Sequence, residues 1–157
     1  PTKTATATST RTPTPTPALS AITIGETDIL ASDDSGNGSL LLAQQTVLSQ
    51  SATIQSMSFY VATVGGQLRL GIYNDAGGGP GTLLAQTAAF TPTTGWNTRN
   101  VVTPVLLPAG TYWLAYLPES NNLHFRKTLT GSAKYYSYTF GTLPNTFSGS
   151  STSATVH

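Results

Sequence analysis

The sequence predicts an all-β protein: a jelly-roll-like antiparallel β-sandwich that carries an extended N-terminal β-arm. Short runs that alternate apolar and polar side chains recur between clusters of Gly, Pro, Asn and Asp, the pattern of strands joined by turns. No stretch has the period of an amphipathic helix. Residues 1–17 also alternate, but they contain no large apolar side chain and so no core of their own.

Eleven candidate strands follow from this pattern, at a spacing typical of a jelly roll. In the clearest of them Leu68, Leu70 and Ile72 share one face. The run 40–45 is open to a second interpretation as a helical turn. The candidate strands are 20–25, 26–31, 39–48, 53–64, 67–74, 82–90, 97–107, 110–117, 123–128, 133–140 and 150–156.

Glycine-containing segments mark the reversals between these strands. The pair Gly65 and Gly66 and the run 108–110 (Pro-Ala-Gly) predict tight hairpins, and the run 76–81 (Ala-Gly-Gly-Gly-Pro-Gly) predicts a longer turn.

Charged residues are rare, at 8% of the chain against about 25% in typical soluble proteins. The seven Lys and Arg residues do not cluster, which argues against nucleic-acid binding. The absence of cysteine excludes disulfides and thiolate metal sites, and the lack of an 18-residue apolar run predicts no membrane span. A surface of Ser, Thr, Asn, Gln and Gly suits packing against copies of itself or contact with sugars.

The sequence divides into an arm, residues 1–17, and a sandwich domain, residues 18–157. Threonine occupies every even position of the arm, and its β-branch favours extended backbone. Proline at every second position of 13–17 removes ladder donors, so this part is expected to be a spacer. The residues expected to pair with a sheet are Thr2, Thr4, Ala5, Thr6, Ala7, Thr8, Thr10 and Thr12.

Ordering such an arm costs about 1–2 kcal/mol of backbone entropy per residue, which another surface has to offset. Strand addition to a neighbouring copy is the favoured explanation. Folding back along its own domain, a crystal contact and a glycan scaffold are the alternatives. Thr12, Thr14 and Thr16 are candidate O-glycosylation sites.

Residues suited to catalysis are few. His124 follows a strand pattern that points it outward, so an exposed histidine is favoured over a catalytic one. Asp33 and Asp34 are adjacent, and Glu26 and Asp28 share a face, but a glycosidase pair would need help from distant residues. We therefore expect a protein that is not an enzyme.

The segment 33–38 has the alternating oxygen ligands of a calcium loop at Asp33, Ser35 and Asn37. Its twelfth position would be Gln44 rather than an acid, so an ordinary polar turn is favoured and a structural calcium ion is the alternative. No other cofactor is expected.

Aromatic side chains support a competing function, either as a platform for sugar rings or as anchors between subunits. The alternative is that many of them are core, as expected for Tyr112 and Tyr116. The candidates for sugar or subunit contact are Trp96, Trp113, Tyr135, Tyr136 and Tyr138.

Two resemblances bear on function. The run 70–85 (LGIYNDAGGGPGTLLA), followed by Trp96 and the run 107–115 (LPAGTYWLA), resembles a β-sandwich module of secreted and surface proteins of bacteria. An N-terminal extension followed by a sandwich is similar to donor-strand pilins, in which the extension of each subunit fills a groove in the next. This arm offers Thr and Ala in place of bulky aliphatics and the chain has no pilin disulfide, so shallow strand addition is expected rather than a deep groove.

These observations together predict an extracellular filament subunit that polymerises head to tail through its N-terminal strand. The expected partners are copies of the same chain and, secondly, glycans. The alternative is a carbohydrate-binding or adhesive module of a larger secreted protein, with the Thr/Pro stretch as its linker.

Overall fold

Ten strands form two antiparallel sheets. The computed structural model describes residues 21–149 and 151–157, and the regular structure in this part of the chain is entirely β. The strands are β1 (Ser32–Asp34), β2 (Leu40–Leu48), β3 (Ala52–Thr63), β4 (Leu68–Asp75), β5 (Pro80–Gln86), β6 (Gly95–Leu107), β7 (Gly110–Pro118), β8 (His124–Lys127), β9 (Ala133–Ser137) and β10 (Ser151–Ser153).

The strands pair in a nested order, β1 with β8, β2 with β7, β3 with β6 and β4 with β5, always antiparallel. The first sheet runs β1-β8-β3-β6, and the second contains β2-β7-β4-β5, extended beside β2 by β9 and β10. A long hairpin folded over in this way is a jelly roll, which confirms the predicted sandwich; the predicted N-terminal β-arm lies outside the described residues.

Most predicted strands are confirmed with small shifts at their ends, whereas the strands predicted at 20–25 and 26–31 and the two predicted tight hairpins are wrong. Residues 21–31 contain no strand, because Gly25, with φ of +90°, interrupts them and none of their backbone groups has a ladder partner among the described residues. The run 40–45 is strand and not a helical turn. Gly65 and Gly66 connect β3 to β4, and 108–110 connects β6 to β7; both links cross between sheets and are not hairpins. The run 76–81 does reverse the chain between paired strands.

The main core lies between the sheets. Leu68, Leu70 and Ile72 all point into it, as their alternation predicts, and Tyr116 is buried there against Phe59.

The second sheet is buried on its outer face as well. Residues 138–149 follow β9 across that face and place Leu143 and Phe147 against Tyr73 and Trp113. A side chain at Gly71 would collide with Leu143, which explains the glycine in the middle of β4. A second core therefore rests on a segment without regular ladder structure.

Candidate strand-acceptor site

Strand β3 is only partly paired. Strand β6 pairs with it along most of its length, whereas β8 meets it only at Val61 and Thr63. Strand β8 then ends, and Thr128 forms a bridge with Val156 instead. Within the described residues, the stretch 52–60 of β3 consequently has no backbone partner on its β8 side.

This unpaired edge lines an elongated cleft with a volume of about 1060 Å³, referred to below as the β3 cleft. The segment 21–30 contributes the opposite wall, and Arg126 and His157 lie at the β8 end. The floor is the inner face of the second sheet, and its residues are Gln44, Leu48, Ile72 and Leu114. The cleft is therefore a gap in the first sheet that opens onto the main core.

The segment 21–30 is held weakly. Its backbone makes no hydrogen bond to the rest of the described chain. Of its side chains, Ile24 alone packs against the main core, and the neighbouring Gly25 lies close to Leu114. Ile22 and Ile29 remain 39% and 56% exposed. The wall of the cleft that this segment forms therefore has exposed apolar surface and backbone groups that no other described residue pairs with.

A polar network closes the β8 end of the cleft. The carboxylate of Asp34 contacts Lys127 Nζ at 2.8 Å and His157 Nε2 at 2.9 Å, and it accepts a 3.0 Å bond from Asn37 Nδ2. Burial by itself would raise the pKa of Asp34, but the hydrogen bonds from Lys127, His157 and Asn37 hold that pKa below its ordinary value. The network ties β1, β8 and the last described residue together.

The histidine in this network is packed between aromatic rings. The His157 side chain is 2% exposed and lies edge-on to Tyr116 and Phe125, with ring centroids 5.3 Å from each. Burial lowers the pKa of His157, because it penalises the charged imidazolium more than Asp34 favours it.

The acid-rich turn at 33–37 has protein partners. Asp33 Oδ2 lies 2.8 Å from His124 Nδ1, and Asn37 donates to Asp34. Among the described residues no group of three His, Cys, Asp or Glu side chains could hold a metal ion. A cation bound through Asp33, Ser35 and Asn37 would have to compete with these internal bonds.

The aromatic candidates separate into surface and core. Trp113 is buried at 1% exposure, so the prediction that it offers a surface ring is wrong. Tyr136 and Tyr138 are partly buried against the outer core and Tyr135 against the main core, so Tyr135 lies on the opposite face of β9 from the other two. Trp96 is 44% exposed and stands edge-on to Tyr60, with ring centroids 5.6 Å apart. It remains the main surface candidate.

The groups considered for catalysis are dispersed. His124 is half-exposed on β8, and its hydrogen-bond partner in the described part of the chain is Asp33, not a hydroxyl nucleophile. Glu26 and Asp28 line the β3 cleft on the wall formed by segment 21–30.

The predicted pairing residues from Thr2 to Thr12 and the candidate glycosylation sites Thr12, Thr14 and Thr16 lie outside the described residues. Sequence reasoning missed the acceptor edge. One signal for this edge was present in the strand lengths. The candidate strand 123–128 is half as long as the candidate strand 53–64, with which it pairs.

The fold and this cleft define a jelly-roll sandwich in which the described residues leave one strand position of the first sheet unfilled. The chain matches no known protein family, no curated protein and no solved structure. In the described residues no helix has the length and apolar character needed to cross a membrane.

Proposed function

We propose that this protein is the structural subunit of an extracellular filament, in which each copy adds its N-terminal strand to the sheet of the next. The observation that carries the proposal is the unpaired edge of β3 over 52–60, which stands beside an open cleft into the core. An extended peptide that adds to such an edge gains backbone hydrogen bonds and buries apolar floor at the same time.

The sequence of this edge supports the proposal. Exposed edges usually carry charges, proline or bulges that prevent pairing with another chain. The stretch 52–60 reads Ala-Thr-Ile-Gln-Ser-Met-Ser-Phe-Tyr and contains no charged residue and no proline. Its one irregularity falls between Ile54 and Ser56 and leaves 56–60 as a regular stretch. The edge therefore has the properties of a strand acceptor.

A subunit that carries a donor at one place and an acceptor at another makes head-to-tail contacts, and these propagate unless the rotation closes a ring. The 17-residue arm reaches roughly 55 Å when extended, at about 3.3 Å per residue. A 140-residue body is only about 40 Å across. One arm is thus long enough to reach the cleft of a neighbour.

Deletion of residues 1–17 tests the proposal. We expect the full chain to form filaments in negative-stain electron micrographs and the deletion variant to remain monomeric by light scattering. A matched control with Thr14 and Thr16 replaced by alanine keeps the length and the prolines of the arm and should still polymerise. Filaments from the deletion variant, or a full chain that stays monomeric at millimolar concentration, would contradict the proposal.

A carbohydrate-binding module is the second candidate, and the exposed Trp96 ring beside Tyr60 favours it. Aromatic faces of this kind stack against sugar rings. A glycan array would show binding that is lost in a Trp96→Ala variant, with unchanged binding after deletion of the arm. No binding to any polysaccharide would exclude this function.

A further inference from the structure

We infer that the β3 cleft receives residues 2–12 of a second copy as an inserted strand that runs antiparallel to β3 and pairs on both of its sides. The inference rests on the proposed function and adds the acceptor, the direction and the identity of the donor. The inference follows from the strand position beside residues 52–60 of β3, which β8 does not occupy.

The direction follows from the sheet topology. Strand β1 is antiparallel to β8, and β8 is antiparallel to β3, so β1 and β3 run the same way. The segment 21–30 leads directly into β1, and its Ile24 packs in the same cluster as Ala52 and Ile54 at the far end of β3. The two walls of the cleft are therefore parallel to each other. A strand that continues the path of β8 between them is antiparallel to both.

The length of the gap matches the proposed donor. Nine residues of β3, 52–60, lack a partner, which is roughly 30 Å at about 3.3 Å per residue. Residues 2–12 supply eleven residues without proline or glycine. With the threonines turned to solvent beside Thr53 and Ser58, the small side chains of Ala5, Ala7 and Ser9 face a floor that larger groups already fill, and Lys3 and Arg11 lie at its two ends. The cleft is a deeper receptor than the shallow edge that the sequence led us to expect.

Proline positions indicate that the donor comes from another copy. If the chain before Ala21 turned back into its own cleft, the residues opposite segment 21–30 would include 13–17. Pro13, Pro15 and Pro17 have no N–H, and in an extended strand these three positions face the same side. One of the two ladders would then lose its donors, whereas residues 2–12 of a second copy keep donors on both sides.

Disulfide trapping in the full chain tests this arrangement, because the protein has no cysteine of its own. One set of chains carries Thr6→Cys or Thr10→Cys, and the other carries Thr53→Cys or Ser58→Cys, at exposed positions of β3. Each chain in the mixture has one cysteine, so every disulfide is intermolecular, and mass spectrometry separates arm-to-cleft products from bonds between like chains. Paired strands place opposed residues within disulfide reach.

An antiparallel donor should trap Thr10→Cys with Thr53→Cys, and Thr6→Cys with Ser58→Cys, in at least tenfold higher yield than the exchanged pairs. The control is Val102→Cys, which is 68% exposed on β6. The reverse preference, or trapping no better than at Val102, would overturn the inference. If filaments still required residues 1–17 in that case, the proposed function would stand with a different acceptor edge.

A further experiment distinguishes a donor strand from another copy from a donor strand of the same chain. The double variant Thr10→Cys and Thr53→Cys in one chain should give a ladder of disulfide-linked multimers on a non-reducing gel. An internally closed monomer that no longer polymerises would show that the arm fills its own cleft, and would overturn the inference.

Discussion

The indole Nε1 of Trp113 donates a 2.8 Å hydrogen bond to Oδ1 of Asp75. The other carboxylate oxygen of Asp75 accepts the amide of Gly78 at 3.1 Å, within a turn in which Gly77 and Gly78 both have positive φ. One half-buried carboxylate thus connects the β4–β5 turn to a tryptophan buried in the outer core.

Replacing Asp75 by alanine should lower the melting temperature by a few degrees. The buried indole N–H would lose its acceptor, and the turn would lose the bond that closes it. Thermal unfolding followed by circular dichroism measures the change. Asp28→Ala is the matched control, since this exposed side chain makes no hydrogen bond among the described residues. Equal melting temperatures for the two variants would show that the Trp113 bond contributes nothing to stability.

The buried His157 should make the protein less stable in mild acid. Its pKa is lowered by burial from the ordinary 6.5, so the unfolded chain binds a proton that the folded chain resists. Stability is then constant above about pH 6.5. It falls as the pH decreases below that value, by up to about 1.4 kcal/mol per pH unit, until the lowered pKa is reached.

Urea unfolding at pH 7.5 and pH 5.0 measures this dependence. The variant His157→Gln should lose it, whereas His124→Gln, which removes a half-exposed imidazole, should keep it. A slope that persists in His157→Gln would assign the pH dependence to another group. Asp34 cannot supply it in this range, because its pKa lies below 3.8 and its contribution is lost only at more acidic pH.

The outer core should contribute to stability as much as an ordinary core does. Leu143 is 2% exposed against the second sheet, and its replacement by alanine should cost about 2–5 kcal/mol. Val47→Ala, at a residue that is 66% exposed on β2, should change the free energy of unfolding by less than about 0.5 kcal/mol. Chemical denaturation compares the two. A cost at Leu143 as small as that at Val47 would mean that residues 138–149 do not cover the sheet in solution.

Alternation was sufficient to predict the fold class because Met57, Phe59 and Val61 of β3, like Leu68, Leu70 and Ile72 of β4, recur every two residues on an inner face. It could not show that the second sheet is covered on both faces, since Gly71 and Arg69 read as an outward face. The outer face is covered by residues 138–149. These residues lie far along the chain, and most of them have no strand pattern. Tertiary contact alone decides such burial. The prediction that Trp113 lies on the surface was wrong for the same reason.

The acceptor site was harder to predict than the donor. The arm is visible in the sequence because threonine alternates there in the absence of any core residue. The cleft arises from a mismatch in strand length and from the divergence of Thr128 toward Val156, which are properties of pairing between distant segments. The predicted strands at 20–25 and 26–31 failed for the related reason that their ladder partner is missing from the described part of the chain.

Hydrogen exchange should detect the filling of the cleft. In the isolated subunit the amides of segment 21–30 lack hydrogen bonds within the described chain, and those of 52–60 that face the cleft lack them too, so both sets should exchange quickly. Insertion of a donor strand on both sides would protect the two sets together when filaments form. The amides shared by β2 and β7 serve as the reference, because their pairing is complete before assembly. Mass spectrometry of monomer and filament should therefore show slower exchange in 21–30 and 52–60 with little change in β2 and β7. Protection of 52–60 alone would indicate strand addition to β3 without a second ladder, and protection of neither would place the subunit contact elsewhere on the sandwich.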